Sequence, residues 1–345
     1  MIITSRPFGV TRDGHEVTLY HMENKRGAYI DLLDWGARIQ AIGVPDKNGT
    51  IVDVCLGFDD MEGYEAHADT YMGAAIGRNA NRIKNACFKL NNIVYQMDAN
   101  EGSNQCHGGI RGFDSRMWSC VMQEHLISFY RDSPHMEEGY PGLMRVTINY
   151  ELTSTDDVVI TYTAMSEEDT LVNLTNHAYF NLAGSGSIYG HTLQVASSRI
   201  TPVDEELIPT GEIAPVEGTA YDLRTPTLLD GPLHDMPPMM QAANGYDVNY
   251  ILDGAGLRTV AVLACPETGI RMTCRTDMPC MQVYSGNYLH AVGKGGAPYE
   301  KHSAICLETQ RYPNAANCPG FPSVVLHARE IFRSRTVYAF DLLPQ

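Results

Sequence analysis

The chain has 345 residues, 44% of them hydrophobic, enough to bury a large core, and a formal net charge of −16. Its 25 lysines and arginines form no run, so nucleic acid and an anionic membrane surface are not expected partners. No stretch reaches the ~20 consecutive apolar residues of a spanning helix.

In chain order, the first element signal is a short helix around Met61 to Asp69. The turn-like segment Gly77-Arg78-Asn79-Ala80-Asn81-Arg82-Ile83 packs two arginines and two asparagines together. Phe88 to Leu90 and Ile93 to Tyr95 read as a hairpin about Asn91-Asn92, since asparagine tolerates positive φ. Asn104-Gln105-Cys106-His107-Gly108-Gly109 sets a histidine among glycines, which let a backbone approach a ligand closely. Taken singly, each of the two segments is better explained by loop chemistry.

Val146, Ile148, Tyr150 and Leu152 alternate with polar residues, as do Val158, Ile160, Tyr162 and Ala164 after a Ser/Thr/Asp loop. This is the period of a second hairpin. Residues 230–246 look irregular. Thr259 to Cys265 and Ile270 to Arg275 flank the tight turn Pro266-Glu267-Thr268-Gly269, the Gly293–Pro298 loop looks mobile, and Thr336 to Phe340 closes the chain as a strand. With 31 glycines and 18 prolines punctuating such runs, the expected fold is all-β, a large antiparallel β-sandwich with few short helices. It is expected to be one domain over residues 1–345.

Two stretches concentrate chemistry. Residues 171–182 read as a strand with Val172, Leu174, Ala178 and Phe180 facing a core and Asn173, Thr175, His177, Tyr179 and Asn181 on the other face. The wet face of a sheet normally carries Lys, Glu and Arg. This face carries none, which suits a groove for a neutral polar ligand such as a sugar. In 304–313, Ala304, Cys306 and Glu308 share a face. A carboxylate ending an apolar strand is costly unless paired or used, and a salt bridge to Arg311 or another arginine would serve it as well as catalysis.

Other chemistries lack their signatures. There is no G-x-G-x-x-G, Walker A, H-E-x-x-H or G-x-S-x-G motif, and the twelve histidines show no metal-ligand pairing. No cofactor and no metal is called for. The nine cysteines are odd in number and without C-x-x-C spacing. With no signal-like N-terminus, a reducing, cytoplasmic setting is expected.

Together these segments resemble the aldose 1-epimerase (galactose mutarotase) family. The similarity rests on G-R-N-A-N-R-I at 77–83, N-Q-C-H-G-G at 104–109, N-H-A-Y-F-N-L at 176–182, Y-D-V-N-Y at 246–250 and E-T-Q-R-Y-P-N-A-A-N at 308–317, in that order. It spans roughly residues 25–342. The resemblance implies a mutarotase-like sandwich with an open sugar cleft and a free sugar as the small-molecule partner. It implies that Glu308 is the general base, His177 the general acid and His107 a second active-site histidine. Asn81, Arg82, Asp247 and Gln282 would hold sugar hydroxyls. Cys106 and the segment Met278-Pro279-Cys280-Met281-Gln282 depart from the family pattern. Oligomeric state is left open.

Such chemistry needs a base for the anomeric hydroxyl and a donor for the ring oxygen. An unperturbed Glu near ~4.3 would be ionised and an unperturbed His near ~6.5 partly cationic. Three rivals are a glycosidase using Glu308 with Asp247, a binding module without turnover, and a phosphosugar epimerase needing extra basic groups at the cleft.

Overall fold

The structure, a computed structural model, describes residues 1–344. Three antiparallel sheets carry the architecture. A five-stranded meander runs through Ile2–Val10, Glu16–Glu23, Tyr29–Leu33, Arg38–Pro45 and Ile51–Asp53. A nine-stranded sheet is centred on Met144–Leu152, Asp157–Ser166, Ile331–Leu342 and Ile270–Thr276. A six-stranded sheet orders Tyr179–Phe180, Ile305–Gln310, Cys280–Tyr284, Asp247–Ile251, Arg199–Thr201 and Ala214–Pro215.

Period-2 patterning decides which faces meet, because successive side chains leave a strand on opposite sides. Ile305 and Leu307 of the six-stranded sheet point into a core shared with Met272, Cys274, Tyr338 and Phe340 of the nine-stranded sheet. The Tyr338 hydroxyl donates to the Leu307 carbonyl across that interface at 2.9 Å. The opposite face of the six-stranded sheet, carrying Cys306 and Glu308, is left to form the site.

The expected hairpins form. Asn91 and Asn92 both take positive φ (50° and 65°), so two residues suffice to reverse Cys87–Leu90 into Ile93–Gln96. Between Met144–Leu152 and Asp157–Ser166, Thr153 Oγ1 accepts from the Thr155 and Asp157 amides at 3.2 and 2.9 Å. The helix Met61–Ala66 starts where Asp60 caps it, accepting from the Gly63 amide at 2.8 Å.

Three expectations change. Residues 171–182 are not one strand with a wet face. They form three two-residue strands, Thr170–Leu171, Thr175–Asn176 and Tyr179–Phe180, each in a different sheet and buried on both sides. The absence of charge reflects burial, and most of these amides satisfy backbone. Asn181 Nδ2, for example, donates to the carbonyls of Ser185, Gly186 and Ser303. The segment expected to be irregular holds two short helices, Asp230–Asp235 and Pro238–Gln241, anchored by buried Leu233 and Met240. The Gly293–Pro298 loop is pinned: Lys294 Nζ donates to the Gln40 and Cys55 carbonyls at 2.8 and 2.7 Å and meets Asp53 at 2.5 Å.

Candidate active site

Register builds the floor of a cleft of about 300 Å³. Glu308 pairs with Gln282, Tyr284 lies between Cys306 and Asp247 on the neighbouring strands, and Tyr179 pairs with Cys306. Glu308, Gln282, Asp247, Tyr284 and Tyr179 therefore share one face, and all line the cleft. Two connecting segments supply the wall. Arg82 pairs with Cys106 in a two-stranded ladder, which brings His107 beside Asn81. Gly108, at φ +91°, permits this approach, because a Cβ there would run into the Gly77 carbonyl.

All seven residues expected at the site line this one cleft. Glu308 is 2% exposed, and its Oε1 lies 3.7 Å from His177 Nε2, while its Oε2 has no protein partner. The salt bridge to Arg311 is absent: that guanidinium stacks on Phe332 and donates to the Val172 carbonyl. Arg82 is held bidentate by Glu101 (2.5 and 2.8 Å) and lies 3.7 Å from Asp247. Gln282 Nε2 donates to Asp247 Oδ1 at 2.5 Å, so its amide orients that carboxylate. The Asn81 backbone amide donates to His107 Nδ1 at 3.3 Å.

Sequence reasoning passed over several neighbours. Tyr71 lies against His107 and His177, with ring centroids 4.7 and 6.1 Å away. Glu101 fixes Arg82, and Cys306 Sγ lies 3.5 Å from His177 Nδ1. Only Cys306 left a trace, its place on the same strand face as Glu308.

Burial dominates the electrostatics. Desolvation, with the nearby Asp247 charge, pushes the Glu308 carboxyl well above its usual range, against the pull of Arg82. Desolvation, with a smaller contribution from the Arg38 cation, lowers His177 to about 4. Desolvation also holds His107 well below the usual histidine range, assisted by His177 and Arg82. Burial therefore shifts both groups away from the ionised Glu308 and partly cationic His177 expected from unperturbed values. Burial disfavours the charged form of each group.

His107, His177 and Glu308 each bring a ligand-type atom within 4.8 Å of the others. A metal would need an unprotonated imidazole nitrogen turned toward it. Because His107 Nδ1 accepts from a backbone amide, that ring's proton sits on Nε2. His107 is thereby made a hydrogen-bond donor. A roomier cavity of about 500 Å³ lies between the C-terminal strand and the five-stranded sheet. Its three acids are already matched, Asp156 with Arg26 and Asp157 with Arg275, each at 3.1 Å, and Asp341 with Arg271. It offers no free acid or base.

A β-sandwich whose exposed sheet face gathers a buried carboxyl, two histidines and an arginine clamp defines an acid–base site without a nucleophile elbow or phosphate loop. The aldose 1-epimerase family model matches residues 18–339. Galactose mutarotase of Bos taurus is 42% identical over 318 residues, covering 91% of each chain. Aldose 1-epimerase of Escherichia coli is 33% identical, covering 95% of this chain and 96% of its own. A solved aldose epimerase homologue from C. elegans superposes with a TM-score of 0.89 at 29% identity, over 94% of this chain and 99% of its own. The chain belongs to the aldose 1-epimerase family. The all-β sandwich expected from the sequence is the fold it has.

Proposed function

We propose that this isomerase interconverts the α and β anomers of free, neutral aldohexoses such as glucose or galactose. Glu308 takes the proton of the anomeric hydroxyl as the bond from C1 to the ring oxygen breaks, and His177 Nε2 delivers a proton to that oxygen. Rotation about C1–C2 presents the other carbonyl face, and closure runs the transfers backwards. His107 Nε2–H, Asn81, Arg82 and Asp247 hold the remaining hydroxyls, with Gln282 keeping Asp247 aimed. No proton is gained or lost overall, so a pair carrying one proton between them is sufficient. Each positioned group supplies about 10²–10⁴-fold.

The observation that carries this reading is the buried Glu308–His177 pair, 3.7 Å apart at the base of a sugar-sized cleft. Charge favours neutral sugars over phosphosugars. The cleft-lining groups include Asp69, Glu101 and Asp247 against one cation, Arg82, which is already paired. One apolar core running from Met22 to Phe340 supports a single domain, and nine unpaired cysteines support a reducing cytoplasmic setting. Among the described residues no helix is long and apolar enough to cross a membrane.

Polarimetry tests the proposal. Purified protein should accelerate the approach of α-D-glucose or α-D-galactose to optical equilibrium, and His177→Asn should remove most of that acceleration. Sugar affinity without faster mutarotation, or release of phenol from an aryl glycoside, would overturn it.

A further inference from the structure

His177 stands in an aromatic enclosure. The Tyr179 ring lies nearly parallel to its imidazole, with centroids 5.0 Å apart and planes at 29°. Tyr71 is similarly inclined, at 28°, but 6.1 Å away, while His107 and Tyr284 meet the ring edge to face. Only Tyr179 presents a stacked face well inside the ~6 Å over which an aromatic ring attracts a cation. The titratable and charged groups about the imidazole are Glu308 at 3.7 Å, the buried Cys306 thiol at 3.5 Å, His107 and the Arg38 cation. Pairing with Cys306 fixes Tyr179 on the sheet face that carries Glu308. Its hydroxyl donates to the Thr70 carbonyl at 2.9 Å, and burial keeps the phenol protonated. Tyr179 therefore has neither a free proton for a sugar nor a base to offer, and what it turns to His177 is its face.

We propose that Tyr179 is a positioning residue for the isomerisation, its ring face stabilising the cation that His177 becomes when it carries the pair's shared proton. The inference rests on His177 as the proton donor. A buried imidazolium has lost the water that would stabilise it, and the negative face of an aromatic ring restores part of that attraction. A carboxylate in the same place would hold the proton on the ring, as opposite charge favours the charged form. An aromatic face attracts more weakly and does not titrate. The cation can therefore form against the closed sugar and still release its proton to the ring oxygen. The attraction acts on the charge of the whole imidazole, so it serves the cycle whichever nitrogen gives up its proton.

A fluorination series separates the charge distribution of the face from its shape. Phenylalanine and its mono-, di- and trifluoro analogues at position 179 are nearly equal in size but lose the negative face stepwise. NMR titration of histidine-labelled protein should show the His177 pKa falling at each step. In polarimetry kcat should fall in parallel, about 5- to 30-fold from Tyr179→Phe to the trifluoro ring, the worth of a desolvated cation–π contact, with KM held. A His177 pKa indifferent to fluorination overturns the proposal. So does a pKa that falls while kcat stays constant, or an effect confined to KM. If losing the Thr70 bond unfolds the phenylalanine series, monofluorotyrosine at 179 keeps that bond and should lower the His177 pKa in the same direction; no shift there is equally fatal. Turnover by His177→Asn would instead overturn the proton-donor role, on which the NMR titration does not depend.

Discussion

Replacing Glu308 by glutamine should make the protein more stable and nearly inactive at once. The carboxyl is 2% exposed, Oε2 has no partner, and Asp247 adds a second negative charge nearby. Its folded pKa lies above the unfolded value near ~4.3. The folded state therefore binds more protons than the unfolded state above that pH. The resulting penalty on folding is absent below about pH 4, grows as pH rises, and is complete once pH passes the folded pKa. Glutamine has a similar shape and does not titrate. A buried group left unsatisfied costs about 1–3 kcal/mol, so at pH 8 the variant should gain about that much, a rise in Tm of roughly 1–4 °C for a chain of this length. At pH 4 the gain should largely vanish. Calorimetry at the two pH values measures the difference, and polarimetry on the same samples should show activity reduced about 10²- to 10⁴-fold. A variant no more stable than wild type at pH 8, or one that keeps most of its rate, refutes the assignment of Glu308 as a strained, buried base.

Further outcomes follow from the same geometry. The pH profile of kcat/KM should hold at moderate acidity and fall as pH drops through about 4, where His177 protonates and the pair carries two protons with no base; an acid limb near 6.5 contradicts the burial argument. Its alkaline limb, where Glu308 loses its proton, should lie above the ordinary carboxylate range. Glucose 6-phosphate should be turned over at least about 100-fold less efficiently than glucose, because unpaired like charges at an interface cost several kcal/mol; equal kcat/KM values in polarimetry would show that the acidic lining does not select. Arg78 donates to Ser133 Oγ and to the carbonyls of Ser133, Pro134 and Pro141 from a buried position outside the cleft lining. Arg78→Ala should lower stability by about 3 kcal/mol or more by stranding those acceptors, leaving KM of the folded fraction unchanged, as denaturant titration and steady-state kinetics would show.

The hairpins were legible because their cause is local: period-2 apolar residues and Asn-Asn or Thr-Ser-Thr-Asp turns need no distant partner. Residues 171–182 were misread for a related reason. Alternation was present, yet the segment passes through three sheets, and whether a polar side chain meets water or another backbone depends on strands far away in the chain. The pinning of Lys294 was invisible in the same way, since its acceptors Gln40, Asp53 and Cys55 are some 240 positions distant. The site residues were named through motif resemblance. What the motifs could not supply was their state: the Glu101 clamp on Arg82, the tie between Gln282 and Asp247, and the burial that works against charge on Glu308 and His177 all arise only when the segments pack.

The direction of those two shifts fits the proposed chemistry better than the ion pair expected from unperturbed values. Ring opening carries one proton from the anomeric hydroxyl to the ring oxygen, and afterwards Glu308 holds a proton while His177 does not. This is the arrangement that burial of the two groups favours, so the pocket is matched electrostatically to the opened sugar rather than to the closed one, the bias a catalyst requires. A closed sugar must draw Glu308 and His177 toward the charged arrangement, and it can do so without exchanging protons with solvent, because both arrangements hold one proton. Binding at pH 7 should then neither take up nor release protons. Titration calorimetry in two buffers of different ionisation enthalpy should return the same binding enthalpy. A difference corresponding to about one proton per sugar would mean that the free pair holds two protons or none, and the shared-proton mechanism would be wrong.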